Sequence, residues 1–298
     1  MYTQKGRAFF AVKNYLLYFF AFILCIALLP LAPSVFPIEQ DNEWQVIHVL
    51  SHQTGEVRVM PTEDYVLGVL QNASLPYEGE TLRAATVAIR SRALYCEQNR
   101  PVHADAAVCD DPSCCAAFAC EQFDTRYVVA AAETAGICVL YRGAPAAAMM
   151  HESSGAYTAS SQSIYGVSLP YLVEISNVKE NVVQEYVWDK QTFLSLLGLS
   201  AETDLASIFV GYDKSHRIHT VETGTLVLDG ARFAKLLSLP SSCANVMATS
   251  NEIRIVCYGK GDGVGMSLNG AQTMENAGAD YAQILAFYFP DTQIGIPS

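Results

Sequence analysis

A glycine-rich segment near the C-terminus, Gly259-Lys260-Gly261-Asp262-Gly263-Val264-Gly265, most constrains how this chain can fold. Glycine adopts positive φ angles and lets two backbones approach closely, so such a segment favours a tight loop that lines a site or turns sharply. The segment lacks the Gly-Lys-Ser/Thr ending of a phosphate-binding loop and the spacing of a dinucleotide fingerprint. We therefore predict that this loop contributes to a site of another kind.

The charge balance excludes one large class of partners. The chain has 298 residues and a net charge of −12. Because affinity for nucleic acid comes largely from lysine and arginine at phosphates, this charge argues against a nucleic-acid partner. A neutral glycan remains compatible with it. Hydrophobic residues make up 51% of the chain, which is enough for a sizeable core.

An apolar run near the N-terminus predicts a membrane anchor. Residues 15–36 carry no charge, and Lys5, Arg7 and Lys13 precede them. About 20 apolar residues span a bilayer, and positively charged flanks stay in the cytoplasm. We predict a cytoplasmic tail (residues 1–14), one transmembrane helix and a main domain outside the cytoplasm. A cleaved signal peptide is the alternative, although no convincing small-x-small cleavage site is present.

The remainder of the chain predicts a single mixed α+β domain. Residues 37–60 form a linker and first strands, with a strand pair around Thr54-Gly55. Helical spacing of apolar residues predicts helices at 64–71, 80–97, 127–135 and 274–288. Paired strands are predicted between 137–141 and 147–151, and between 220–227 and 253–258. No internal repeat is evident.

Several blocks of the chain share their sequence and order with one known family. The blocks are Glu63-Asp64-Tyr65-Val66-Leu67-Gly68-Val69, Glu80-Thr81-Leu82-Arg83-Ala84-Ala85-Thr86-Val87-Ala88-Ile89-Arg90, His151-Glu152-Ser153-Ser154-Gly155 and Gly261-Asp262-Gly263-Val264-Gly265-Met266-Ser267-Leu268-Asn269-Gly270-Ala271. They resemble the stage II sporulation protein D family (SpoIID/LytB domain) over most of residues 61–292, which we take as the domain. The chain departs from the family at Asp262, where the family has histidine, and at Leu268, where it has glutamine.

The resemblance implies a lytic transglycosylase that acts on peptidoglycan glycan strands, preferably strands without stem peptides. In this chemistry one carboxylic acid protonates the glycosidic oxygen and then, as a base, removes the C6 hydroxyl proton. The family's glutamate falls at Asn72, Ala73 or Ser74, depending on one gap, and none of these side chains can donate the proton. Glu78 and Glu80 are the nearest replacements, and the alternative is that both cap the helix that begins near Glu80.

Two further carboxyl groups are candidates for the missing acid. Glu152 lies next to His151, and Asp262 lies in the glycine-rich loop, although an exposed aspartate has a low pKa. The chain is therefore either a peptidoglycan-cleaving enzyme with a rearranged acid or a non-catalytic glycan-binding scaffold. As a scaffold it would serve with other wall-remodelling proteins in a septal or engulfment complex at the membrane during sporulation. An unrelated secreted binding module is a third reading, and it would be supported if the blocks did not meet in space.

The resemblance also implies a set of substrate-binding residues in two of the blocks. The set comprises His151, Ser153, Ser154, Gly155, Asp262, Gly263 and Ser267. A lone histidine is more often a satisfied structural residue, which is the alternative for His151. Tyr157, Tyr165 and Tyr171 are candidates for stacking on sugar rings, and the alternative is that they pack in the core.

A cluster of cysteines predicts a structural zinc site. His103-x5-Cys109-x4-Cys114-Cys115 supplies four nitrogen and sulfur ligands, and a closed set of four is structural. Some members of the family are similar here, with histidine in place of Cys114. Adjacent cysteines fit one tetrahedron poorly, so the alternative is disulfide pairing among Cys109, Cys114, Cys115 and Cys120.

Three other inferences concern the remaining cysteines. An extracytoplasmic domain permits disulfides, and Cys243 with Cys257 is a candidate pair because the two flank a predicted hairpin. Cys96 and Cys138 are predicted to be buried thiols.

Overall fold

The computed structural model describes residues 46–100, 102–116, 122–180, 182–224 and 226–297. The predicted cytoplasmic tail and membrane anchor (1–14 and 15–36) lie outside these residues. Within the described part, no helix has both the length and the apolar character that crossing a membrane requires. The architecture is the mixed α+β arrangement that the sequence predicts.

The described elements alternate between short strands and mostly short helices. The helices are α1 (Thr62–Ala73), α2 (Gly79–Asn99), α3 (Thr125–Glu133), α4 (Ser161–Tyr165), α5 (Lys190–Leu196), α6 (Gly230–Leu236), α7 (Leu268–Asn276) and α8 (Tyr281–Tyr288). The strands are β1 (Val46–Leu50), β2 (Val57–Pro61), β3 (Val108–Cys109), β4 (Cys138–Tyr141), β5 (Ala144–Pro145), β6 (Met150–His151), β7 (Val183–Asp189), β8 (Phe209–Tyr212), β9 (Ile218–Thr223), β10 (Leu226–Asp229), β11 (Ala244–Ala248), β12 (Glu252–Tyr258), β13 (Met266–Ser267) and β14 (Gln293–Gly295).

Helix α2 lies in the larger of two main hydrophobic cores. Its apolar residues recur every three or four positions, and Leu82, Ala85 and Ile89 are buried. The helix contacts α1, α3, α7 and α8. The predicted strand pair around Thr54-Gly55 and the helix that begins near residue 80 are both confirmed, as β1–β2 and α2.

An ion pair joins α1 to α2 at the edge of this core. Arg90 is almost fully buried, and its Nε and Nη2 atoms donate to the two carboxylate oxygens of Glu63 over 2.6 and 2.7 Å. Its Nη1 atom donates to the Ile137 carbonyl over 3.1 Å. A forked, charge-assisted contact of this kind fixes the relative orientation of two helices more strictly than apolar packing does.

The predicted pairing of residues 137–141 with 147–151 is wrong. β4 turns back at Arg142 and Gly143, which both have positive φ, and pairs with β5 and with the C-terminal β14. Because this turn closes the hairpin early, the chain that follows is free to form β6 elsewhere. β6 pairs in parallel with β13, more than one hundred residues away.

The predicted C-terminal helix over residues 274–288 is two helices. α7 ends before Gly278, whose φ is +95°, and α8 begins after Asp280. The Asp280 side chain accepts from the Gln283 backbone N–H, and the Gln283 side chain accepts from the Asp280 N–H. The N–H groups of a helix's first turn have no acceptor within the helix. This capping box favours a new helix start because it supplies acceptors for two such N–H groups.

A second hydrophobic core lies between residues 183 and 258. β7, β12 and β11 form one sheet, and β8, β9 and β10 form another. Phe193, Phe233, Ile253 and Ile255 are buried between them. The predicted pairing of 220–227 with 253–258 is wrong, since β9 pairs with β8 and β10, while β12 pairs with β7 and β11.

Contrary to the sequence-based expectation, this second core contains an internal repeat. The first half spans residues 183–223 and the second half 226–258. In the first half, β7 ends at Asp189, whose side chain caps α5; in the second half, β10 ends at Asp229, whose side chain caps α6. The repeated residues, in matching order, are Asp189, Phe193 and Leu197, and Asp229, Phe233 and Leu237. The two phenylalanine rings meet at a centroid distance of 6.4 Å. β7 belongs to the sheet of β11 and β12, and β10 to that of β8 and β9, so each half completes the other's sheet.

Candidate functional site

Two of the resembling blocks meet at β6 and β13, and we call residues 149–155 and 259–267 the glycine-loop site. Met266 lies opposite Met150, and Ser267 lies opposite His151. Beyond this pair, Ser153 and Lys260 exchange two backbone hydrogen bonds of 3.0 and 2.7 Å. The segment between α1 and α2 also reaches this region, because the Tyr77 hydroxyl donates to the Asn269 Oδ1 atom over 2.7 Å. The blocks at 151–155 and 261–271 therefore meet in space, and the chain between the blocks at 63–69 and 80–90 reaches them.

Glycine is required at two positions of the loop because neighbouring groups occupy the space that a Cβ atom would take. A Cβ atom at Gly263 would lie 1.8 Å from the Nη2 atom of Arg217, and one at Gly265 would lie 2.1 Å from the Met149 carbonyl oxygen. Both glycines also have positive φ. Much of the glycine pattern therefore serves close packing around a buried guanidinium and a neighbouring strand.

Arg217 is fully buried beneath the loop, and the sequence analysis did not identify it. Its Nη1 donates to the Ser241 hydroxyl over 3.0 Å, and its Nη2 donates to the Ser154 carbonyl over 3.3 Å. Burial lowers the pKa of Arg217, and Cys243, Asp262 and Asp213 act in the opposite direction. Arg217 directly precedes β9 of the second core, so it connects that core to both segments of the glycine-loop site, at Ser154 and at Gly263.

His151 is buried and neutral at the centre of the site. Burial is the main cause that lowers its pKa to about 4, Arg217 lowers it further, and Asp262 and the Val264 carbonyl oppose the shift. Its Nδ1 atom lies 3.1 Å from that carbonyl oxygen, which can only accept, so Nδ1 carries the proton. Nε2 is therefore an acceptor, and among the described residues it has no hydrogen-bond partner. An uncharged acceptor of this kind suits a hydroxyl group better than an anion.

A glutamate that the sequence analysis missed holds the serines of the site. The Glu180 carboxylate accepts from the hydroxyls of Ser153 and Ser267, from the amide of Asn177 and, over 3.2 Å, from the Ser154 backbone N–H. Ser153, Ser154 and Ser267 are all buried. Their polar groups connect the two strands through this one carboxylate, and their predicted contact with a substrate stays a prediction.

The remaining predicted substrate residues lie at the edge of the site. Asp262 is exposed, accepts from the Tyr165 hydroxyl, and accepts from the Val264 N–H over 3.0 Å. Glu152 is exposed and forms an ion pair with Lys260 over 2.7 Å. Gly155 borders a cleft that is described below. Both acids that were alternative proton donors are thus exposed and held by a polar partner.

The loop from α1 to α2 carries no replacement acid in a buried position. Asn72, Ala73 and Ser74 are exposed at the end of α1. The Glu78 side chain is 77% exposed, and its Oε1 atom lies 3.7 Å from the Nη1 atom of Arg126. This side chain makes no capping hydrogen bond to α2. Glu80 forms an ion pair with Arg83 and accepts from the Tyr281 N–H over 2.9 Å.

Another glutamate, from α7, caps the N-terminus of α2. The Glu275 carboxylate accepts from the backbone N–H groups of Glu80 and Thr81, each over 3.0 Å. It also accepts from the Thr81 hydroxyl over 2.6 Å. This is the capping role that the sequence assigns to Glu78 and Glu80, and it falls to a residue 195 positions away in the chain.

A cleft of about 420 Å³ opens beside the glycine-loop site. Tyr157 and Tyr258 supply aromatic surface there, and Asn177 and Lys179 supply polar groups. Both its volume and its mixture of apolar and polar lining are typical of small-molecule sites. Of the other tyrosines considered for stacking, Tyr165 is 44% exposed and Tyr171 is buried in the core.

The four predicted metal ligands lie together in the loop around β3. Their donor atoms all fall within 4.8 Å of one another. The His103 Nε2 atom lies 3.6 Å from Cys114 Sγ and 3.5 Å from Cys115 Sγ, and the two sulfurs lie 3.9 Å apart. Tetrahedral zinc, with bonds of about 2.0–2.3 Å, requires its donors to be roughly 3.5–3.8 Å apart. The separations among His103, Cys114 and Cys115 therefore match those of a tetrahedral zinc site, and Cys109 supplies a fourth donor within 4.8 Å of the other three.

The described cysteines are free thiols. Cys109, Cys114 and Cys115 form no disulfide with one another, and Cys120 lies outside the described residues. The predicted pair of Cys243 and Cys257 is wrong, because Ala244 is the residue opposite Cys257 in the strand register. Cys138 is buried as predicted, and Cys96 is half-buried.

Comparison with known proteins shows what the chain is similar to. Residues 50–141 match the family described as Stage II sporulation protein (SpoIID). The chain is 25% identical over 259 residues to Stage II sporulation protein D of Bacillus subtilis (strain 168), covering 80% of this chain and 75% of that protein. It is 26% identical over 249 residues to an uncharacterized protein of Brachyspira hyodysenteriae, covering 80% and 67%. Stage II sporulation protein D of Bacillus amyloliquefaciens is 25% identical over 170 residues, covering 55% and 49%.

Proposed function

Since this chain is a divergent member of the stage II sporulation protein D family, we propose that it binds peptidoglycan glycan strands during sporulation and does not cleave them. This proposal rests on the exposure and the polar partners of the carboxyl groups around the site. A lytic transglycosylase needs one carboxyl group that stays protonated near neutral pH, which requires an apolar, unpaired setting. Among the described residues, no carboxyl near the glycine-loop site has that setting.

Each candidate acid is unsuitable because it is exposed or already has a polar partner. Glu78 and Asp262 are exposed, and Glu152 is exposed and paired with Lys260. Glu80 is held by Arg83 and the Tyr281 N–H. The position of the family's glutamate is occupied by a residue without a carboxyl group.

The binding half of the proposal is supported by the cleft beside the site. Tyrosine rings pack on the apolar faces of sugars, while amide and ammonium groups hydrogen-bond to sugar hydroxyls. Tyr157 and Tyr258 offer aromatic surface in this cleft, and Lys179 offers an ammonium group.

The proposed setting is the outer face of the cell membrane. Residues 15–36 would anchor the chain, and the domain would face the cell wall together with other proteins of a remodelling complex. The apolar run and its positive flank support this arrangement.

We expect the full-length chain, purified in detergent micelles, to sediment with peptide-free glycan strands and to release no anhydromuramyl products. Tyr157→Ala should weaken binding about five- to tenfold, because one stacking surface is lost. Co-sedimentation measures the first result, and mass spectrometry of the soluble fraction measures the second. Anhydromuramyl products from the unaltered chain would overturn the non-catalytic assignment, and failure to sediment would overturn glycan binding.

The cysteine cluster is proposed to hold one structural zinc ion through His103, Cys109, Cys114 and Cys115. A set of four protein ligands leaves no open position for a reacting water, so the ion would stabilise the loop rather than take part in chemistry. Cys109 belongs to β3, which pairs in parallel with β1. The ion would therefore fasten the loop to the first sheet.

We expect about one zinc ion per chain in reduced, purified protein, and expect Cys115→Ser to lose most of it. Cys96→Ser is the matched control, because Cys96 is a free thiol outside the cluster. Elemental analysis gives the metal content, and the rate of thiol alkylation reports whether the loop has opened. Equal zinc content in the two variants, or none in the unaltered chain, would contradict this assignment.

A further inference from the structure

Arg92 differs from the other two arginines of α2 because it has no partner in the described part of the chain. Arg83 and Arg90 each form ion pairs with glutamates. Arg92 is half-buried, and it makes no hydrogen bond or ion pair with any described residue. A guanidinium stays charged at every physiological pH, so a half-buried one requires water or a negative charge as its partner.

Arg92 lines a cavity of about 80 Å³ together with the loop that carries the proposed zinc ligands. We call residues 103–115 the zinc loop. Cys115 and Val108 belong to this loop, and both line the cavity. The other described residues of the wall are apolar or aromatic, and none of them is acidic. Charges attract each other more strongly across an apolar space than across water, because the effective dielectric constant is lower.

The phenol group of Tyr65, in the same wall, is close to both Arg92 and the zinc loop. Burial is the main cause that raises the pKa of Tyr65. Arg92 lowers this pKa, whereas Cys115, Cys96 and Cys109 raise it. Since the interaction between charges weakens with distance, a positive side chain and two of the proposed zinc ligands lie near one hydroxyl group.

The proposed zinc site would carry a net negative charge. Each cysteine binds the ion as a thiolate after losing its proton, and histidine binds as a neutral imidazole. The three thiolates of Cys109, Cys114 and Cys115 therefore exceed the two positive charges of the ion by one. A second histidine in place of Cys114 would leave the site uncharged. This donor set thus leaves one negative charge for a neighbouring group to balance.

We propose that Arg92 is the charge-balancing residue of the zinc site, and that its guanidinium stabilises the zinc-bound thiolates from across the cavity. This inference rests on the proposed zinc site. Arg92 would not bind the ion itself, because a guanidinium has no acceptor to offer a metal. Loss of a group that supports metal ligands from outside typically lowers metal affinity roughly 10- to 100-fold. The ion would then attach the zinc loop to α2 as well as to the first sheet.

The test measures the zinc affinity of the reduced, full-length chain in detergent micelles by competition with a chromophoric chelator. We expect Arg92→Gln to bind zinc about tenfold more weakly than the unaltered chain. Arg92→Lys keeps the positive charge and should bind zinc nearly as tightly as the unaltered chain, which also checks against misfolding of the first variant. Arg83→Gln removes the same charge from the same helix, but Arg83 does not line the cavity, so its zinc affinity should be unchanged.

A second pair of variants separates the charge of Arg92 from its packing. Cys114→His replaces one thiolate with a neutral imidazole, so the zinc site of this variant has no net charge to balance. Adding Arg92→Gln to Cys114→His should therefore weaken zinc binding by only about twofold or less. A tenfold loss that persists in this background would mean that Arg92 acts through packing, and it would overturn the proposal.

The remaining outcomes separate this inference from the proposed zinc site. If the unaltered chain binds zinc and Arg92→Gln binds it equally tightly, the zinc site stands and the role of Arg92 is wrong. An equal loss in Arg83→Gln would also overturn that role, because any positive charge on α2 would then have the same effect. If the unaltered chain binds no zinc, the zinc site is wrong and the role of Arg92 fails with it.

Discussion

Gly265→Ala is expected to destabilise the domain by roughly 3–5 kcal/mol. The residue has a φ of +77°, and its added Cβ would lie 2.1 Å from the Met149 carbonyl oxygen. That oxygen accepts a 3.0 Å hydrogen bond from Met266, so the strands β6 and β13 would have to separate. Three costs therefore add: the left-handed backbone, the overpacking and the lost hydrogen bond. Thermal and urea unfolding of the full-length chain, followed by circular dichroism, measure the change.

Gly278→Ala is the matched control for this effect. Gly278 has a φ of +95°, but no atom lies within 4 Å of the position that a Cβ would take. We expect it to cost only about 1 kcal/mol, the backbone contribution alone. If the two variants unfolded at the same denaturant concentration, packing against Met149 would not be the reason for glycine at position 265.

Glu180→Gln is expected to destabilise the site by roughly 2–4 kcal/mol. The carboxylate accepts from Ser153, Ser267, Asn177 and the Ser154 N–H. The glutamine amide would replace one acceptor with a donor, so at least one buried donor would lose its partner. The same unfolding experiment gives the magnitude, and hydrogen exchange at residues 150–155 shows whether the loss is local.

Glu185→Gln controls for the loss of one negative charge. Glu185 pairs with Arg254 on the surface, where both side chains are nearly half exposed. Exposed pairs contribute about 0–1 kcal/mol, so this variant should change little. A large effect at Glu185, or none at Glu180, would contradict the view that buried donors depend on the Glu180 carboxylate.

The elements that the sequence predicted well are those with a strong period or an evident turn. α2 repeats its apolar residues at helical spacing over five turns, and Thr54-Gly55 separates two short strands. The break between α7 and α8 also had a readable signal, because Asp280 and Gln283 have the spacing of a capping box. Sustained apolar spacing across the break concealed it.

The site residues that sequence reasoning missed have no local pattern. Glu180 lies in an irregular segment, and its partners Ser153 and Ser267 are 27 and 87 residues away. Arg217 precedes a short strand and acts on a loop that follows it by more than forty residues. Such contacts depend on the tertiary fold, and neither hydrophobic period nor residue spacing encodes them. Resemblance indicated which blocks meet, but not which side chains join them.

The exchange of strands between the two repeated halves governs how the second core can come apart. Each sheet takes its third strand from the opposite half. If either half unfolded, the sheet of the other half would therefore lose a strand. Loss of either one would expose unpaired backbone groups and the face that covers Phe193 and Phe233. Residues 183–258 should therefore unfold in one cooperative step. Arg217 links this unit to the glycine-rich loop, so its contacts there should be lost only at that step.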